Sequence, residues 1–142
     1  MKFLIGYTAG VFDMFHVGHL NLLRQAKDLC EFLIVGVNSD ELVSEYKHKQ
    51  TIINQKQRCE IVKSIRYVDK AEIVNTLDKK DAWKKFKFDV LFIGDDWKGD
   101  ERWKKTEEEM KKIGVKVVYL SRTKGISSSE LREKLSHIDK NI

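Results

Sequence analysis

Two histidines stand three residues apart in the segment Tyr7-Thr-Ala-Gly-Val-Phe-Asp-Met-Phe-His-Val-Gly-His-Leu20, with Gly18 between them. On the first turn of a helix that spacing puts both imidazoles on one face. The glycine leaves the backbone bare, so an anion can approach closely. An apolar run over Lys2–Tyr7 precedes the segment, and Leu20, Leu22, Leu23, Ala26 and Leu29 follow it at helical spacing. A strand that stops, a polar turn and a helix that starts make a phosphate site, because the helix N-terminus offers unpaired N–H groups and the positive end of a dipole. Two imidazoles there suit a phosphate whose charge grows in a transition state. Zinc is the competing use of such a pair, but it requires a third ligand. Asp13 is the one nearby carboxylate, and no Cys or Glu stands at a metal-like spacing. Either histidine alone would read as a cap or a surface residue.

The second cluster is Arg122-Thr-Lys-Gly-Ile-Ser-Ser-Ser129. Ser127 and Glu130 have the spacing of a capping box, which accounts for the hydroxyls. It does not account for Arg122 and Lys124, which with a second helix start make a second oxyanion cradle. No Walker-type Gly-Lys-Ser/Thr occurs, so this is not a P-loop. A third cluster, Gly94-Asp95-Asp96-Trp97, follows an apolar run and suits a base, a ribose or Mg²⁺, or simply ends a strand. Lys47, Lys49, Arg58 and Arg66 lie near expected strand exits, where a solvated surface is the plain alternative. No Ser-His-Asp, Cys-His or paired-acid arrangement is present. Many phosphate-binding groups without a nucleophile suit a reaction in which the substrate's own phosphate attacks and the protein positions it and stabilises charge.

These residues need a frame. Phe32–Val37, Ala71–Val74, Asp89–Ile93 and Val115–Leu120 read as further strands, the most apolar of them suited to burial on both faces. Between them fall a short helix ending near Tyr46, a basic loop Lys47–Gln50, and helices over Gln55–Ile65, Asp81–Phe86 and Glu101–Ile113. A final helix opens at Ser127 and runs through Leu135. Gly114 stands where a helix-ending glycine belongs. The alternation predicts one Rossmann-like, doubly wound α/β domain over residues 1–142, with a five-stranded parallel sheet and helices on both faces. Ligands in such sheets sit beyond the carboxyl ends of the strands, where all three clusters fall.

Composition narrows the partners. The net charge of +5 fits anionic ligands, but its lysines are scattered over helical stretches. Nucleic acid is not expected, since no RNP-like aromatic strand and no basic helix with interleaved aromatics is present. No run is long enough to insert in a membrane and no cleavage site follows the first apolar residues, so a cytoplasmic protein is expected. The two cysteines, Cys30 and Cys59, sit in apolar settings and read as core residues.

Gly10-Val-Phe-Asp-Met-Phe-His-Val-Gly-His19 resembles the signature of the nucleotidyltransferase superfamily with a His-x-Gly-His motif. Arg122–Ser129 resembles the second motif of its cytidylyltransferase branch, and Gly94–Trp97 and Ile65–Asp69 add to the likeness, which runs in order from Tyr7 to Leu135. Within that branch the chain is most similar to the enzymes acting on sn-glycerol 3-phosphate. The resemblance implies CTP, a phosphorylated small alcohol and Mg²⁺ as reactants and cofactor, a CDP-alcohol and pyrophosphate as products, and a homodimer. It implies catalytic roles for His16, His19, Lys47 and Arg122. It implies nucleotide contacts from Thr8, Ala9, Gly10, Val11, Phe12, Gly18, Asp95, Thr123, Ile126, Ser127 and Ser128, and acceptor contacts from Asp13, Lys49, Arg66 and Trp97. Metal ligands are not identified. Val11 replaces a frequent threonine and resembles the choline-phosphate enzymes, so choline, ethanolamine or sugar phosphate stay open as acceptors. The first motif is shared with enzymes that use ATP, which leaves an adenylyltransferase open. A non-catalytic nucleotide- or RNA-binding module is the reading from outside the class.

Overall fold

The continuous apolar runs become the strands of one sheet, and the segments of helical period between them become its cover. The computed structural model describes residues 2–140. The elements run β1 (Phe3–Gly10), α1 (Val17–Asp28), β2 (Cys30–Asn38), α2 (Asp40–Lys47), α3 (Gln55–Lys63), β3 (Lys70–Val74), α4 (Lys79–Phe86), β4 (Val90–Gly94), a 3-10 turn (Asp95–Trp97), α5 (Glu101–Lys112), β5 (Lys116–Leu120) and α6 (Ser128–Lys140). The five strands are parallel in the order β3-β2-β1-β4-β5, as expected. Strand order therefore reverses between β1 and β4, and that switch is where a doubly wound sheet opens a crevice.

Successive strand residues point to opposite faces, so each strand supplies two cores. On one face Leu33, Val35, Val37 and Phe92 pack with Leu23 and Ala26 of α1 and Cys59 and Val62 of α3. On the other, Tyr7, Ile34 and Leu91 pack with Ala82 and Phe86 of α4 and Met110 of α5. Cys30 and Cys59 are both free and buried. At the end of α5, Gly114 takes a φ of 81°, the left-handed conformation for which glycine is suited.

Several boundaries differ from the expectation by a few residues, and three of them have a clear cause in backbone pairing or conformation. β1 continues past Tyr7 to Gly10 because Thr8, Ala9 and Gly10 pair with Val35, Gly36 and Val37 of β2. Lys47 is the last residue of α2 rather than part of a loop, with His48 closing the helix at φ 54°. α3 stops at Lys63, where the Ser64 N–H turns back to carbonyls of the preceding turn. Among the described residues, no helix is long and apolar enough to cross a membrane.

Candidate active site

A cleft of about 450 Å³ opens over the carboxyl ends of β1, β4 and β5. Its floor is Thr8–Asp13 and its walls include His16, Gly18, His19, Lys47, Lys49, Ile93, Gly94, Asp96, Trp97 and the segment Ser121–Thr123 with Ile126–Ser129. Thr8 is buried and donates its hydroxyl to the Phe92 carbonyl (3.1 Å), tying the floor strand to β4 at the switch.

The two histidines do not share a helical turn in the simple sense that their spacing suggests. His16 is the N-cap of α1 and His19 its third residue. The Gly18 N–H donates to His16 Nδ1 (3.0 Å), and the His16 N–H donates to His19 Nδ1 (3.2 Å). This is the reciprocal logic of a capping box, made from imidazoles. The rings stack with centroids 3.8 Å apart, and Phe12 and Phe15 enclose His19 at 5.4 and 5.2 Å. Burial, with the Arg122 charge adding, lowers the pKa of His16. Burial pushes His19 down to about 3, with the His16 charge adding and Asp13 opposing. Both rings are therefore neutral at pH 7. A neutral imidazole whose Nδ1 accepts must carry its proton on Nε2. Each ring thus offers one uncharged Nε2–H donor, and the backbone fixes the tautomer.

This has a pH signature. His19 takes a proton near 6.5 when unfolded and only near 3 when folded, so the unfolded chain binds more protons in between. The contribution of its neutral, enclosed state to stability is complete above about pH 6.5 and is lost as pH falls toward 3. Denaturant midpoints measured from pH 7.5 to 4.5 should fall through this window in the wild type and fall less in His19→Asn. Equal slopes would mean that His19 titrates normally.

Gly18 leaves room for the His16 ring. A Cβ there would lie 2.8 Å from His16 Cε1 and 3.0 Å from Nδ1. Gly18→Ala should push the imidazole off its amide and lower turnover about a hundredfold with the fold intact, the usual scale for a misplaced reacting group. Wild-type turnover in that variant would show that the cap can yield.

The turn between β1 and α1 is strained and clamped. Phe12 and Met14 take φ of 56° and 49°, left-handed values disfavoured for side chains of this size. Asp13, between them, is buried. Its carboxylate accepts from the Ile52 N–H (2.8 Å), the Ile53 N–H (2.9 Å) and Arg132 Nη2 (2.6 Å), and its carbonyl accepts from Ser128 Oγ (2.5 Å). Burial would raise its pKa, but those backbone donors and Arg132 outweigh it and hold the carboxyl below the usual range. Asp13 therefore anchors the turn, with both of its oxygens engaged by protein donors. Below the floor, the fully buried Arg58 donates Nη1 to the Val11 and Asn38 carbonyls (2.6 and 2.8 Å), Nε to the Ile53 carbonyl (2.8 Å) and Nη2 to Asp40 (2.6 Å). The sequence leaves Arg58 open between a cation near a strand exit and a solvated surface residue; the structure makes it the internal brace of the site.

The loop ahead of α6 forms the far wall. Ser127 caps α6, accepting from the Glu130 N–H (3.1 Å). Asn21 of α1 donates to Thr123 Oγ1 (2.9 Å), and Gln25 exchanges bonds with the Ser121 backbone. Arg122 stands in the cleft, 3.7 Å from Asp96. Lys124 is exposed and does not line the cleft.

Two expected contacts fall elsewhere. Arg66 lies before β3, at the amino edge of a parallel sheet, while the cleft is at the carboxyl edge. It is exposed, donates to Tyr67 Oη (2.9 Å), and does not line the cleft. In the 3-10 turn it is Asp96 rather than Asp95 that lines the cleft. Lys47, Lys49, Trp97, Ala9, Gly10, Val11, Phe12, Ile126 and Ser128 do line it. Arg132 and Thr51 line the cleft and are missed by motif reasoning, while Asp96 belongs to the third cluster, from which the resemblance implies Asp95 instead. Arg132 had a readable signal, since it sits one helical turn after Ser128 and Ser129 on the same helix.

A family model described as cytidylyltransferase-like matches residues 7–134. A glycerol-3-phosphate cytidylyltransferase of Staphylococcus aureus is 37% identical over 136 residues, covering 95% of this chain and 96% of that one. An FAD synthase of Pyrococcus abyssi is 36% identical over 137 residues, covering 92% of this chain and 91% of that one. Among solved structures, the lipopolysaccharide core biosynthesis protein from Thermoplasma volcanium is similar with a TM-score of 0.71 at 26% identity, covering 88% of this chain and all of the other. The family match takes in the sheet from the middle of β1 onward, the capped histidine pair and the opposing serine loop, and the chain accordingly belongs to the cytidylyltransferase-like family of nucleotidyltransferases.

Proposed function

We propose that this protein transfers CMP from CTP to a small phosphorylated alcohol, with sn-glycerol 3-phosphate as acceptor and CDP-glycerol and pyrophosphate as products. The observation that carries the reading is how the cleft divides its cations. Arg122 follows β5 on one side of the histidine turn, and Lys47 and Lys49 follow β2 on the other. That arrangement suits a triphosphate on one side, an anionic acceptor on the other, and the bond change between them. An acceptor phosphate oxygen attacks the α-phosphorus in line, and the bond to pyrophosphate breaks. The neutral Nε2–H groups of His16 and His19 donate to the phosphoryl oxygens as charge builds there. Arg122 and the free N–H groups of α6 hold the departing pyrophosphate. The likeness to the Staphylococcus aureus enzyme supports the acceptor.

Mg²⁺ fits this site in its usual manner, through one or two carboxylates together with substrate phosphates. Asp96 is the cleft carboxylate open to solvent and would take that place; the ion would neutralise triphosphate charge. The FAD synthase likeness gives a second reading, adenylyl transfer from ATP. Pyrophosphate release should be measured with CTP or ATP against the phosphates of glycerol, ribitol, choline and ethanolamine. The expected result is activity with CTP and glycerol 3-phosphate. Activity with ATP alone would end the cytidylyl reading, and a preference for choline phosphate would end the acceptor assignment.

A further inference from the structure

Arg132 lines the cleft and has no part in the chemistry above. It projects from the second turn of α6 and uses a single nitrogen, Nη2, for both of its protein contacts, Asp13 Oδ2 (2.6 Å) and the Gln50 carbonyl (2.9 Å). A guanidinium carries five N–H donors. Among the described residues, Nε and Nη1 donate to no acceptor, and a quarter of the side chain is exposed.

Asp13 is the carboxylate beside it, and it engages only one of its nitrogens. The lining carries Lys47, Lys49, Arg122 and Arg132 against the carboxylates of Asp13 and Asp96. Asp96 faces Arg122, and Asp13 is already enclosed by two backbone N–H groups. The Thr51 hydroxyl, also in the lining, donates to Asp40. Lys47 reports the crowding, because burial and then the charges of Lys49 and Arg132 lower its pKa. A concentration of positive charge on the β2 side of the histidines, with idle donors on a planar group, is chemistry for a dianion.

We infer that the idle donors of Arg132 bind the phosphate dianion of the acceptor, and that Asp13 is the positioning residue that holds the guanidinium for it. The inference rests on the proposed reaction only for the identity of that phosphate's carrier. Asp13 then joins two functions in one carboxylate. It pins the histidine turn through Ile52 and Ile53, and it aims the acceptor's ligand through Arg132, so both reactants are referred to the same anchor.

The alternative is that Arg132 only clamps α6 to the turn. Glycerol 3-phosphate should be titrated calorimetrically into the wild type, Arg132→Gln and Arg132→Lys, with and without CTP and with Mg²⁺ withheld. Inorganic phosphate is a second probe and melting temperatures are the fold control. Arg132→Gln should bind glycerol 3-phosphate about tenfold more weakly or worse, as loss of a charge-assisted contact predicts. Its acceptor KM should rise by the same factor and its CTP KM should stay within about twofold. Arg132→Lys, which keeps the charge, should recover part of the loss. Unchanged affinity in Arg132→Gln, no binding by the wild type, or both KM values rising together with a lower melting temperature would overturn the inference. Failure of the CTP reading would appear separately, as no pyrophosphate from the wild type, and the titration would still decide the role of Arg132.

Discussion

His16→Asn should fold and melt almost as the wild type does and lose about 10²–10³ in turnover number, the scale of removing one donor from a developing oxyanion. The reasoning separates the two nitrogens of one ring. Nδ1 accepts from the Gly18 N–H and belongs to the cap; an asparagine carbonyl oxygen can replace it there, as Asn does at many N-caps. Nε2 is the donor to the phosphoryl oxygens in the proposed reaction, and asparagine has nothing at that distance. His16→Ala removes both functions and should add about 1 kcal/mol of destabilisation to the same loss of rate. His19→Asn should behave like His16→Asn, and the double variant should lose less than the product of the two, because the stacked rings act on one group. Pyrophosphate release gives the rates and denaturant melts the stabilities. If His16→Asn kept turnover within about threefold, the role of Nε2 as a transition-state donor would be wrong.

Arg58→Met should be the most destabilising single change in the site, by about 3–5 kcal/mol. The magnitude comes from what stays behind. Asp40 keeps partners in Thr51 and the Gln55 N–H, and its side chain is 42% exposed, so it can turn to water. The carbonyls of Val11, Asn38 and Ile53 cannot move away, and each buried acceptor left unpaired costs about 1–3 kcal/mol. The apolar bulk of methionine offsets part of that sum, not most of it. Arg58→Lys should recover little, because one ammonium cannot reach acceptors spread around a planar group. Since the Val11 carbonyl lies in the floor of the cleft, turnover should fall as well. A loss below about 1 kcal/mol on guanidinium denaturation would show that the brace is replaceable by packing.

The contrast between these two residues shows what a sequence reveals. The histidine pair is legible because its geometry is local: a strand, a turn and a helix start fix it within a few residues. The parallel sheet is legible for the same reason, since alternating periodicities set it element by element. Arg58 is not legible. Its acceptors come from the β1–α1 turn, the end of β2, the start of α2 and the loop before α3, and only the fold brings those together. Arg66 fails differently, because a motif likeness does not say at which edge of the sheet a residue lies. The exchange of Asp95 for Asp96 is a matter of phase in a single 3-10 turn. Arg132 lies one turn beyond the hydroxyls that mark the start of α6, and only the fold brings that turn against Asp13 and Gln50.

Both imidazoles are tethered to backbone amides through Nδ1, and that has a stereochemical consequence. In the proposed reaction a histidine held in this way keeps its proton on Nε2 and stays a donor, so it does not take up the cytidylyl group itself. That reading predicts a single displacement, with the α-phosphorus turned inside out once. CTP made chiral at that phosphorus with sulfur should give a CDP-alcohol of inverted configuration, whereas a covalent enzyme intermediate would restore the original hand.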